Sequence, residues 1–256
     1  MGNMEALYNT WKAIGTSGGD LSFFQNFFVK FYQAFIEADR WLQYLNGVKT
    51  TLLVTALALI LGVALGVTVA ILRTAHDQQR PGHRNPVLAV LNLVCKIYVT
   101  VIRGTPMMVQ LLIMGFVIFA SSRNFTMIGT LTLGINSGAY VSEIVRGGLM
   151  SVDKGQMEAC ITCGMSSLQG YIHVVLPQAF RLAIPSLANN FIECFKGSAL
   201  CSMVGVKDMM LQAKMLANKS YRFMEVYLCV LLLYWVINMV FVAIQKVIEQ
   251  KANDKY

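Results

Sequence analysis

Glu158-Ala159-Cys160-Ile161-Thr162-Cys163-Gly164, followed after nine residues by Val174-Val175-Leu176-Pro177, forms a polar island between long apolar runs. Ser166 and Gln169 make an S-x-x-Q capping box: the hydroxyl accepts from the Gln169 backbone N–H, and the amide returns to the Ser166 N–H. A helix is therefore expected to start near Leu168. Upstream, Ser151 is placed to cap a first short helix running through Glu158 to Cys163, and Gly164 supplies the permissive backbone that turns the chain at a helix C-terminus. The expectation is two short helices joined at a corner.

The apolar runs on either side define the class of protein. The chain is 56% hydrophobic and only 13% charged, with mean hydropathy +0.56, against roughly 25% charged residues in soluble domains. Uncharged stretches cover 50–72, 104–122, 124–142 and 226–245, each about long enough to cross a hydrocarbon core of ~30 Å as a helix. Helices are the expected solution, because lipid leaves no partner for unpaired backbone groups. A fifth stretch, 182–206, carries Glu193 and Lys196 at its middle, where a lipid-facing ionisable group costs several kcal/mol. It is expected to face protein or water. Glu193 and Lys196 share a helix face at a spacing of three, which suits either an ion pair that fixes packing or a pair lining a route.

Residues 1–46 do not read as a span, since Lys12, Asp20, Lys30, Glu37, Asp39 and Arg40 interrupt them. Phe23, Phe24, Phe27, Phe28, Phe31, Tyr32 and Phe35 recur at three and four residues and give one aromatic helical face. That face suits the headgroup level of a bilayer or packing on the spans equally. A cleaved signal peptide is not expected, because no basic start precedes a continuous apolar core. Between 87 and 121 the apolar stretch is broken by Arg103-Gly104-Thr105-Pro106. Thr105 reads as an N-cap and Pro106 as the first helical residue, so 87–102, with Lys96 inside it, is expected to be a short surface helix before the second span.

The polar island matches, with Cys160 for Ala and Val174 for Ile, the pattern Glu-Ala-Ala, three free residues, Gly, nine free residues, Ile, one free residue, Leu-Pro. In this the chain resembles the permease subunits of ABC importers. Tyr98-Val99-Thr100-Val101-Ile102-Arg103-Gly104-Thr105-Pro106 with Gln110, and Asn136-Ser137-Gly138-Ala139-Tyr140-Val141-Ser142-Glu143-Ile144-Val145-Arg146-Gly147-Gly148, are similar to the polar amino acid branch, whose members serve histidine, glutamine, arginine or cystine. Lys154-Gly155-Gln156, Leu176-Pro177-Gln178-Ala179 and Gly205-Val206 extend the resemblance over about residues 48–245.

The resemblance implies an all-α membrane protein of the type I ABC importer permease fold, with five transmembrane helices at about 48–72, 104–121, 126–146, 182–206 and 226–246. They form a permease domain over 47–248, preceded by the 1–46 amphipathic segment and followed by a tail, 249–256. It makes 149–180 a cytoplasmic coupling loop, with Glu158, Ala159, Gly164, Ser166, Leu176 and Pro177 at an ATPase subunit. It places the chain in the bacterial cytoplasmic (inner) membrane, amino terminus outside and carboxyl terminus cytoplasmic. Basic residues number nine on each side of that arrangement and orient nothing by themselves; Arg80 and Arg84 beside Pro81-Gly82 agree with it.

The implied partners are a dimer of ABC ATPase subunits, a second permease copy or a related one, an extracytoplasmic solute-binding protein, an amino acid substrate and the lipid bilayer. No G-x-x-x-x-G-K-[ST] occurs, so no cofactor is expected on this chain, ATP and Mg belonging to the partner. Where many relatives have Lys-Asp-Thr-Ser-Leu this chain has Lys196-Gly197-Ser198-Ala199-Leu200, which argues against a strongly cationic substrate and suits cystine or another neutral amino acid. Matching an amino acid's charged ends requires polar partners. Asn189, Asn190, Glu193, Lys196 and Ser198 are candidates on the fourth span, with Gln110, Asn136 and Tyr140 facing them.

Other classes fit poorly. Cys160-Ile161-Thr162-Cys163 has metal spacing, yet no second C-x-x-C or histidine cluster completes a zinc site, so the six cysteines read as reduced and structural. A secondary transporter would show internal repeats and paired broken helices, and an intramembrane enzyme a catalytic array. A non-transport membrane scaffold is the bland alternative. The pI of about 9.2 suits anionic headgroups and requires no nucleic acid.

Overall fold

A computed structural model describes residues 2–79 and 85–253; Arg80, Arg84, the Pro81-Gly82 loop and Lys255 lie outside them. Among the described residues all regular structure is helical: α1 Gly2–Thr16, α2 Phe23–Phe35, α3 Arg40–Asp77, α4 Pro86–Gly104, α5 Met107–Ile113, α6 Phe125–Met150, α7 Lys154–Thr162, α8 Ser167–Gly170, α9 Leu176–Gly197, α10 Met209–Ser220 and α11 Phe223–Asn253. Single π turns follow α5 and α8, and a 3₁₀ segment, Ser198–Val204, follows α9. Contacts divide the chain into two compact units, residues 1–51 with 207–237, and 52–206 with 238–256.

In the first unit the aromatic face of α2 is used for packing. Ser22 and Gln25 form a capping box at its start. Tyr32 then stacks on Tyr8 of α1 at 4.2 Å and Phe28 meets Trp11 edge-on at 5.2 Å. On its next turn Phe35 stacks on Tyr44 of α3. Phe23 and Phe24 remain 84% and 82% exposed, so the amino-terminal end of the same face stays available to a bilayer.

The core of this unit joins Tyr44 to Met209, Ala213 and Leu216 of α10 and Val226 of α11. Asp208 caps α10, accepting from Leu211 N at 2.8 Å, yet is 1% exposed with Oδ2 unpartnered. Burial raises its carboxyl from 3.8 to about 6, partly opposed by the Leu211 and Met210 N–H groups. A folded-state value above the unfolded one means that the folded chain holds the proton more tightly, so this stabilisation is full below the unfolded value and is lost as pH rises through about 6. Asp208→Asn keeps the cap and removes the charge. Its thermal stability should not fall between about pH 4 and 7 as the parent's does, and at pH 7 it should exceed the parent by on the order of 2 kcal/mol. Parallel melting curves of the two proteins across that range would refute the assignment.

In the second unit α3, α5, α6, α9 and the 3₁₀ segment contribute to a core that includes Val54, Ala58, Leu111, Leu133, Cys194 and Cys201. Gly134, Ser137, Gly138 and Ala139, the small residues of α6, are buried. They let α3 and α4 approach closely, as small residues do between membrane helices; Tyr98 of α4 donates to the Ile135 carbonyl at 2.6 Å.

Two sequence expectations change. Thr105 and Pro106 do not start a helix in the expected register. Thr105 terminates α4 in extended backbone, its hydroxyl donating to the Val101 carbonyl at 2.8 Å, and Pro106 precedes the first helical residue, Met107. The residue before a proline is driven out of the helical region, which explains the break. Residues 86–104 are one unbroken helix, long and apolar enough to cross a membrane despite Lys96, where a short surface helix was expected.

Among the described residues three helices meet that length and composition, Glu37–Asp77, Pro86–Gly104 and Phe223–Lys251, while Met107–Ile118 is a shorter apolar helix. The expected second span is thus short. The third lies within the 26 residues of α6, and the fourth leaves α-helical geometry at Gly197.

Candidate functional site

The corner forms as local chemistry dictates, with one cap displaced. Ser151 does not cap α7; it closes α6, its hydroxyl donating to the Gly147 carbonyl at 2.8 Å. Asp153 takes the N-cap, accepting from Gly155 N at 2.6 Å. At the far end of α7, Gly164 adopts φ +80°. Met165 N donates to Cys160 O and Gly164 N to Ile161 O, both at 3.0 Å. This is a complete Schellman termination. The capping box of Ser166 and Gln169 then starts α8.

The corner is braced from within. Cys160 is buried, and a Cβ on Gly170 would stand 3.1 Å from its Cβ and 3.0 Å from Met157 Sδ, so glycine sets how closely α8 approaches α7. Gln156 accepts from Gln178 at 3.2 Å, Val152 packs with Val175 and Ala179, and the Gln78 amide donates to the Tyr171 hydroxyl. Leu176 and Pro177 begin α9, with the proline in its first turn, where a missing N–H costs nothing. Glu158, Ala159, Gly164 and Ser166 are exposed. Between them Ile161 and Leu168 stand 55% and 70% exposed. A rigid elbow therefore presents one carboxylate beside two apolar side chains.

The candidate pathway residues fall into smaller groups. Asn136 of α6 donates to Gln110 of α5 at 3.0 Å, and the Gln110 amide in turn donates to Ile102 O and Thr105 Oγ1, both at 2.8 Å. Asn190 accepts from Ser137 at 2.9 Å in the α6 to α9 contact, and Asn189 accepts from Gln245 at 3.2 Å. Ser198 is fully buried, its hydroxyl donating to Phe195 O. Glu193 and Lys196 are both exposed and form no ion pair with each other; a spacing of three gives a common face, not a contact.

A charge cluster not foreseen from the sequence lies beside Tyr140. Glu143 of α6 pairs with Arg73 of α3, with Arg146 at 3.4 Å and with Arg103 of α4 at 3.8 Å, and the Arg103 guanidinium sits 5.2 Å from the centre of the Tyr140 ring. The only local signal was the spacing of three between Glu143 and Arg146. All six cysteines are free, five of them buried and Cys163 exposed, and no cluster among the described residues has the donors to hold a metal ion.

Apolar helices, small-residue packing and a braced polar elbow between the helices describe a helical membrane protein with one stiff exposed corner. Residues 87–254 match the family model for the binding-protein-dependent transport system inner membrane component, and the chain belongs to that family. It is 33% identical over 226 residues to the L-cystine transport system permease protein TcyB of Bacillus subtilis, covering 86% of this chain and 91% of that one. It is 32% identical over 228 residues to the putative glutamine transport system permease protein GlnP of Rickettsia typhi, covering 88% and 97%. An amino acid ABC transporter crystallised with histidines superposes with TM-score 0.73 at 33% identity, over 82% of this chain and 94% of that one. The MetNI methionine transporter, at 19% identity and TM-score 0.71 over 85% and 100%, shares the fold. These relatives place the chain in the polar amino acid branch of ABC permeases, subunits that are not themselves enzymes and whose ATPase is a separate chain.

Proposed function

We propose that this chain lines the membrane route of an ATP-driven importer of a polar amino acid, in five crossings, and that the elbow around Glu158 and Gly164 docks on the ATPase subunit that drives it. The elbow carries this reading. It is stiffened by two caps, a Schellman turn and the close contact at Gly170, yet its outer surface exposes Ile161, Leu168 and Glu158, which suits a lever that transmits movement to α6 and α9. Two ATPase subunits, a second permease chain and an extracytoplasmic solute-binding protein complete the assembly, with the elbow and carboxyl terminus cytoplasmic and the amino terminus outside. Labelling at Cys163, the exposed cysteine, from each side of sealed vesicles tests the orientation. Reaction from the outer side alone would overturn it.

Relatives named for cystine and glutamine, together with glycine at position 197, support a neutral substrate. Of the candidate residues, Gln110, Asn136, Tyr140, Asn189, Glu193 and Lys196 border the route, while the buried Asn190 and Ser198 support its wall from behind. Glu193→Gln and Lys196→Ala, both exposed and unpaired with each other, should each reduce uptake about fivefold to tenfold, or about 1 kcal/mol, without changing melting temperature. Full uptake in both variants would remove these two residues from the route.

A further inference from the structure

We infer that the cavity beside Glu143 is a carboxylate-binding station on the inward part of the route, where the transported amino acid docks its α-carboxylate on Arg103; this rests on the importer reading above. The cavity, of about 400 Å³, is lined by Arg103, Tyr140, Glu143, Ser151, Leu182 and Ser186 among others, and its size falls within the range of about 300–1,000 Å³ usual for small-molecule sites. Three guanidiniums surround one carboxylate, leaving two positive charges in excess. Arg73 and Arg146 hold Glu143 more closely, and the Nε of each is buried without a partner.

Arg103 stands off at 3.8 Å with its side chain 43% exposed. Its planar fork fits a carboxylate in two parallel hydrogen bonds. Ser151 and Ser186 lie in the same wall, and Ser151 is the residue at which α6 gives way to the elbow. An anion bound here therefore rests against the element assigned to coupling.

The shared chemistry is an oxyanion, so a phospholipid phosphate is the competing source. The test places Ser186→Cys in a Cys163→Ser background, the other cysteines being buried. Maleimide labelling is followed in the complete complex in zwitterionic nanodiscs, with each protein L-amino acid and with its decarboxylated amine. An amino acid that the complex takes up should slow labelling about fivefold at saturation, its amine should not, and Arg103→Gln should abolish the protection. Gly147→Leu should slow labelling with no ligand present, because Gly147 lines the cavity and a Cβ there meets nothing within 4 Å. Uptake without protection, or equal protection by the amine, overturns the station and leaves the importer reading standing. Protection by added phosphatidylglycerol but by no amino acid also overturns it, in favour of a headgroup site. An intact complex that takes up no amino acid sinks both.

Discussion

Glu158→Lys is expected to cut ATP-driven uptake by at least about tenfold, equivalent to 1.4 kcal/mol of lost coupling, with no change in melting temperature. Glu158 is exposed on α7, and among the described residues it forms no ion pair. Reversing its charge should cost the fold within about 0.5 kcal/mol. What it changes is the surface offered beside Ile161 and Leu168, since like charges facing each other across an interface cost several kcal/mol.

Gly164→Val makes a complementary probe. A Cβ there meets nothing within 4 Å, but the backbone sits at φ +80°, where an L side chain costs about 1–2 kcal/mol and a β-branched one more. The elbow should lose its angle and uptake should fall similarly, now with a modest drop in melting temperature. Measured together on the reconstituted complex, uptake and ATP hydrolysis separate a docking loss from a folding loss. Normal values for both variants would remove the elbow from coupling.

The parts of this site that could be read from sequence are those fixed within a few residues. The capping box of Ser166 and Gln169 and the turn at Gly164 need only their neighbours, so they formed where expected. Ser151 was the expected cap of α7, and Asp153, two positions on, takes that place in the structure. The serine was lost to the preceding helix because its hydroxyl reaches back to the Gly147 carbonyl, a choice settled by how far α6 continues. Gly170 gave no local signal, since its role exists only against Cys160 and Met157. The cluster on Glu143 was hidden for the same reason: Arg73 lies 70 residues away, and only the packing of α3 on α6 brings it near. For the aromatic face of α2, periodicity gave the helix but not its partner, and Tyr8 and Tyr44 supply that from other helices.

The packing of α3 on α6 leads to the largest expected loss of stability. Gly66→Leu should destabilise the chain by more than about 3 kcal/mol and leave little folded protein in the membrane fraction. A Cβ at Gly66 would stand 2.6 Å from Val141 Cβ and 2.8 Å from the Gly138 carbonyl oxygen. Val141 is 1% exposed and cannot turn aside, and the carbonyl belongs to a helix whose own hydrogen bonds hold it.

Relief therefore requires the two helices to part. Two turns further along α3, Arg73 reaches Glu143 across the same contact, so parting also strands a half-buried carboxylate with fewer partners, and such breaks cost about 3–5 kcal/mol when a buried pair is lost outright. Lipid tails offer no hydrophobic gain to compensate, since helices in a bilayer associate through close packing and hydrogen bonds. Gly147→Ala on the same α6, where the added Cβ meets nothing, should melt within a degree or two of the parent and shows that a change of glycine is tolerated where no second helix approaches. Equal melting temperatures for Gly66→Leu and the parent would mean that α3 and α6 do not meet at this ridge, and the arrangement that brings Arg73 to Glu143 would fall with it.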